Sequence, residues 1–186
     1  MNTSHSLVEK IALLLLTPDA LVTLSLEDAK TVAGYMTVSQ LEPQTVVFQA
    51  NQADAASDYM LLVLEGEILI ETLSSGDSAV VVNVLGRGHL VGEMSLLDGT
   101  PRSATCTAQT DVEVARLTRN HLEKIIEEHP VIAARLLMAI AKRLADRVRL
   151  GNHKLLMLSQ VNEAMRGEMN VKSRKRPHRF TTPVAV

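Results

Sequence analysis

From Thr45 to Arg116 the chain consists of short runs rich in valine, isoleucine and leucine, divided by Asn51-Gln52, Gly66, Ser74-Ser75-Gly76-Asp77 and Gly86-Arg87-Gly88. Runs this short, punctuated by residues that tolerate turns, predict a compact antiparallel β-structure. On either side the period changes. Leu7, Ile11, Leu14 and Leu15 fall on adjacent helical turns within Ser6 to Leu16, and Thr17-Pro18 ends that stretch. Ser25, three residues ahead of Asp28, approximates a capping box for another helix, and Gly34 to Pro43 reads as extended chain leading into the first strand. Downstream, Thr118 is placed to cap a helix through Glu128, and Pro130 to open a second that reads helical through Val161 or beyond. The expected fold is α+β and mainly β: an antiparallel β-roll or jelly roll flanked by N-terminal helices and followed by a long C-terminal helix. Its segments are 1–40 (helical), 41–130 (roll), 131–168 (long helix) and 169–186 (basic flexible tail).

Length and composition narrow what such a fold does. At 186 residues the chain buries a substantial core without metal or disulfide staples. Two tyrosines, two phenylalanines and no tryptophan argue against a stacking platform for single-stranded nucleic acid. No Cys or His cluster has metal-ligand spacing, and the sole cysteine, Cys106, sits in an alternating strand pattern that suits a small buried thiol. The apolar run Ile11 to Leu16 is far short of the roughly 20 residues a membrane span needs, and no basic leader precedes it, so a cytoplasmic protein is expected. No P-loop, kinase signature, nucleophile elbow or metal-hydrolase spacing is found, so neither an enzyme nor a catalytic residue is predicted.

The most specific chemistry lies between Gly86 and Ala108. Gly92-Glu93-Met94 opens a short segment, a turn follows at Asp98-Gly99-Thr100-Pro101, and Arg102-Ser103 heads a strand. Glycine at 92 permits close backbone approach to a ligand, and the N–H groups that follow suit an anion. Arg102 supplies a permanent charge that forks onto two phosphate oxygens, with the Ser103 hydroxyl as a further donor. Glu93 makes no sense as a phosphate ligand, but it accepts from a ribose hydroxyl and pairs with a nearby arginine. Phosphate plus ribose suggests a nucleotide. The bland reading is that these glycines and the proline only make turns and that Arg102 forms a surface ion pair.

The run G-E-M-S-L-L-D-G-T-P-R-S-A-T resembles the phosphate-binding cassette of the cyclic nucleotide-binding domain family. The likeness extends upstream through V-V-F-Q, Y-M-L-L-V-L-E-G-E-I-L-I and V-L-G-R-G, and downstream through T-D-V-E-V-A-R-L, covering about Leu41 to Arg149. The resemblance implies that Glu93 holds the ribose 2′-hydroxyl, that Arg102 holds the cyclic phosphate, and that amides at Gly92 and Glu93 assist, with Met94 and Ser103 in the same site. Val91 stands where the family usually has an aromatic, and Ser95 where it often has alanine.

In the long helix Leu137, Leu144, Val148, Leu155 and Leu158 keep the four-and-three spacing of a coiled coil, which predicts a dimer seam; packing of a single amphipathic helix on its own roll is the alternative. The family dimerises through this helix and closes it over the base. Hydroxyl-bearing residues that read adenine in bacterial members are missing here. Arg147 and Val148 occupy those positions and Arg143 lies one turn earlier, which makes Arg143 and Arg147 the base-side candidates and leaves adenine or guanine open. Lys172 to Arg179 carries a basic run without acids, open to nucleic acid, acidic protein or anionic membrane. Winged-helix members of the family need several dozen further residues, for which 186 leave no room. The expected function is that of a receptor for cAMP, or cGMP, which signals allosterically to an unidentified macromolecule. A nucleic-acid-binding regulator acting through its tail and a constitutive adaptor with a ligand-free pocket are the alternatives.

Overall fold

The computed structural model describes residues 2–52, 58–73 and 79–174. These fall into two units, Met1–Arg143 and Leu144–Val186. In the first, α1 (Asn2–Leu15) and α2 (Leu26–Gly34) precede β1 (Thr37–Leu41), β2 (Val46–Phe48), β3 (Tyr59–Glu65), β4 (Ile68–Leu73), β5 (Ala79–Leu85) and β6 (Leu90–Val91). The short helix α3 (Glu93–Asp98), β7 (Thr105–Ala108), β8 (Val112–Thr118) and α4 (Arg119–Glu128) follow, and α5 (Pro130–Arg174) continues into the second unit.

The strands form two four-stranded antiparallel sheets, in the orders β1-β8-β3-β6 and β2-β7-β4-β5. Alternation along each strand places Leu61, Val63, Val112 and Val114 from one sheet and Phe48, Ile68, Leu85, Cys106 and Ala108 from the other in a single core. This is the α+β, mainly β roll expected from the strand pattern. Cys106 is buried in β7, and burial pushes its thiol up to about 11, against a lowering influence of Arg102.

Both expected caps form. The Ser25 hydroxyl accepts from the Asp28 N–H at 3.1 Å, and the Thr118 hydroxyl from the His121 N–H at 3.2 Å. Asp28 is itself buried. Burial acts to raise its carboxyl, but Ser25 and Arg135, the latter at 3.0 Å, outweigh that and hold it below the usual carboxylate range. This pair ties α2 to the first part of α5.

Two boundaries differ from expectation. The sheet begins at Thr37 rather than after residue 40, because β1, though mostly polar and exposed, pairs along its length with β8 from Thr37↔Arg116 to Leu41↔Val112. Helix α5 runs to Arg174, past residue 168 where the tail was expected to begin. The Ser74-Ser75-Gly76-Asp77 turn, most of the loop after Asn51-Gln52 and residues 175–186 of the basic tail lie outside the described residues.

Candidate functional site

Gly92 joins β6 to α3 with φ 85° and ψ 12°, a left-handed conformation that side chains disfavour. Space forbids a side chain there as well: a Cβ would lie 2.6 Å from Arg102 Nη1, 2.7 Å from Phe48 Cζ and 2.9 Å from the Tyr59 carbonyl oxygen. The gap a side chain would fill is thus taken by the guanidinium of Arg102. Its Nη1 donates to the Gly92 carbonyl at 3.0 Å and its Nη2 to the Tyr59 carbonyl at 2.8 Å. The Arg102 Cζ lies 3.6 Å from the centroid of the Phe48 ring and 5.1 Å from that of Tyr59, a stacked cation–π arrangement.

The backbone of Arg102 is pinned too. Its N–H donates to Gln52 and its carbonyl accepts from Asn51, which adopts φ 63°, the left-handed conformation its residue type tolerates. Arg102 and Glu93 are both buried, 4% and 1% exposed. Burial lowers the arginine's affinity for its proton, and Tyr59, Asp58, Cys106 and Glu93 act in the opposite direction. The expected turn after α3 is present: Gly99, at φ 65°, donates its N–H to the Ser95 carbonyl, and Asp98 accepts from the Thr100 N–H and hydroxyl at 3.0 and 2.8 Å. Hydrogen bonds from Thr100 hold the Asp98 carboxyl below its ordinary range.

Of the residues expected in the site, the fold brings Gly92, Glu93 and Arg102 together and leaves Met94 and Ser103 exposed. The strand after Arg102 starts only at Thr105, so Arg102 sits on the loop before it. Arg143 is bonded within the same unit: Nη1 donates to the Asp19 carbonyl and Nη2 to the carbonyl of Leu90 in β6, the latter at 3.1 Å. Arg147 belongs to the second unit. Along α5, Leu137 and Leu144 are half-buried, while Val148, Leu155 and Leu158 are exposed.

Phe48, Tyr59, Asp58 and Arg119 were not singled out from the sequence. The scarcity of aromatics was the available signal, since Phe48 and Tyr59 are two of only four in the chain and both meet Arg102. No group of three or more metal-ligating side chains occurs among the described residues, and no helix there is long and apolar enough to cross a membrane.

Two facing antiparallel sheets hold a buried arginine packed against Gly92 and a buried glutamate at the start of a six-residue helix. Residues 38–129 match the cyclic nucleotide-binding domain, and the chain belongs to that family. The "Cyclic AMP receptor protein" of Thermus thermophilus is 34% identical over 87 residues, covering 47% of this chain and 40% of that protein. "Lysophospholipase nte1" of Neosartorya fischeri is 31% identical over 105 residues, 56% of this chain but 7% of that protein. Both likenesses span less than half of the relative. Among solved structures, a cyclic nucleotide-binding domain from Methylobacillus flagellatus has the same fold, with a TM-score of 0.70 at 24% identity, over 82% of this chain and 84% of that one. The family domain is a binding domain, and the match to the lysophospholipase is confined to 7% of that protein.

Proposed function

We propose that this chain is a receptor for a cyclic mononucleotide, cAMP before cGMP, and that it signals allosterically to a partner macromolecule in the cytoplasm. The observation that carries this reading is the burial of a guanidinium and a carboxylate, Arg102 and Glu93, beside a backbone position that excludes a side chain, Gly92. The two groups fit the two halves of such a ligand. Arg102 forks onto the cyclic phosphate, Glu93 accepts from the ribose 2′-hydroxyl, and the amides at Gly92 and Glu93 with the Ser103 hydroxyl complete the donors. Met94 lies exposed at the same helix start. The name of the Thermus relative favours cAMP.

Arg102 donates one N–H to the Gly92 carbonyl and one to the Tyr59 carbonyl, and in this reading it turns further donors of its five toward the phosphate. Arg143 and Arg147 are the base-side candidates on α5, with Arg143 already bonded to the Asp19 and Leu90 carbonyls. Leu137, Leu144, Val148, Leu155 and Leu158 form the seam of a homodimer in this reading.

Thermal unfolding with cAMP, cGMP and cyclic dinucleotides tests the proposal. Ligand at 100 times its Kd stabilises the folded state by about 2.7 kcal/mol, so the expected result is an upward shift of Tm with cAMP that is lost in Arg102→Ala. No shift with any of these nucleotides contradicts it.

A further inference from the structure

Strand β5 departs from the alternation of the strands beside it. Leu85 enters the core, but Val80, Val81, Val82 and Val84 are all 42–60% exposed, on the edge strand of the sheet β2-β7-β4-β5. An antiparallel sheet with one bare face ordinarily carries polar residues there, and an edge strand is ordinarily marked by charge; β5 has no charged residue. Register locates the apolar surface. Because Ile68, Cys106 and Leu85 point into the core, Leu69, Thr107 and Val84 lie on the opposite face, and cross-strand pairing sets Val46, Thr107, Leu69 and Val84 in one row across all four strands. Farther along the same face Glu71 stands opposite Val81. Helices α1 and α3 pack on β3 and α4 on β8, strands of the other sheet, and Val46 at the far end of the row is exposed like the valines of β5. A further strand is a poor cover for this surface. The register shift at Val82 bulges the edge, and the Val84 N–H is already taken by the Asn83 side-chain oxygen at 2.9 Å. A helix laid on the face suits it better.

We propose that the outer face of this sheet docks helix α5 of a second copy of the chain, through Leu150, Met157 and Val161. These three are 54–56% exposed, and their spacing of seven and four residues puts them on one side of the helix. Leu150 and Met157 each stand two residues beyond a seam position, Val148 and Leu155, and so point well away from the seam. Lys154, exposed, falls within the same stripe, four residues after Leu150 and three before Met157. Its ammonium complements the Glu71 carboxylate beside Val81. From Leu150 to Val161 the helix rises about 16 Å, comparable with the roughly 20 Å of β5. Each surface offers on the order of 300 Å² of apolar side chain, the size at which an exposed patch marks an interaction site. In a two-fold pair the contact is made twice and covers on the order of 1,200 Å² in total, where specific stable interfaces begin. The contact uses neither the ligand site nor the seam.

Sedimentation equilibrium of the unmodified protein, of Glu71→Lys, of Lys154→Glu and of an equimolar mixture of the two variants tests this. Either variant alone sets like charges face to face and self-associates about tenfold more weakly than the unmodified protein. In the mixture each sheet face meets a helix of opposite charge, and association returns to within about threefold of the unmodified protein. A contact within one chain gives no such recovery on mixing. Val81→Glu and Met157→Glu, one on each surface, weaken association by about tenfold or more, and they decide the matter if Glu71→Lys does not fold. A mixture that associates no more strongly than its components overturns the proposal, as does association unchanged in Val81→Glu or Met157→Glu. Association lost in Leu155→Asp but indifferent to these changes keeps the seam and overturns this inference alone, whereas a monomeric unmodified protein overturns both.

Discussion

Between Pro130 and Arg143, helix α5 buries Ala133, Leu136, Ala139 and Ile140, none more than 3% exposed; beyond Arg143, Val148, Leu155 and Leu158 are 61–65% exposed. Both stretches are rich in apolar side chains at helical spacing. In the first that spacing is satisfied within the unit formed by the roll and its helices, together with the Arg135–Asp28 ion pair. The second leaves large apolar side chains in water, each worth roughly 1.5–3 kcal/mol when fully buried. Periodicity alone therefore does not tell a helix that completes its own core from one that presents a surface. In the reading proposed here the first unit senses the ligand and the exposed stretch of the second carries self-association.

The largest expected effect falls on the buried stretch. Leu136→Ala removes a fully buried side chain and is expected to lower the stability of the roll by about 2–5 kcal/mol in urea unfolding. A loss below about 0.5 kcal/mol, the range of ordinary surface changes, would mean that this part of α5 does not belong to the core. A smaller effect is expected at the site. Glu93→Gln weakens cAMP binding by about 1–2 kcal/mol, a charge-assisted bond made neutral, and matters little for 2′-deoxy-cAMP. Equal losses for both ligands in calorimetry would remove the ribose role of Glu93. The smallest effect on the roll itself is expected from Leu155→Asp, which, like Leu144→Asp, shifts the protein toward monomer in sedimentation, while leaving the unfolding free energy of the first unit within about 0.5 kcal/mol of the unmodified protein. An unaltered sedimentation coefficient would point to another interface.

What was legible in the sequence follows the distance over which each feature is determined. The caps at Ser25 and Thr118 rest on hydroxyl–amide bonds three residues apart, and both form as read. Gly92 and Arg102 were legible because a motif places them ten residues apart. Strand β1 was not, since Thr37, Ser39 and Gln40 are polar and exposed, and only pairing with β8 more than seventy residues later makes them a strand. Phe48 beneath Arg102 and Asp58 beside Arg119 are likewise products of the folded roll, brought across 54 and 61 residues. The extra turns of α5 past residue 168 were hidden by a composition in which basic residues, good helix formers, replace the apolar pattern.

In the proposed reading Arg102 is the phosphate-holding group of a cyclic nucleotide site. Isothermal calorimetry of the unmodified protein and of Arg102→Ala with cAMP tests it most directly, with Arg102→Lys as a variant that keeps the charge. Saturable binding by the unmodified protein, weakened about 100- to 1,000-fold in Arg102→Ala, is the predicted result, because the substitution leaves the phosphate without its charged partner. Affinity unchanged by Arg102→Ala, or no heat of binding in the unmodified protein, would contradict it.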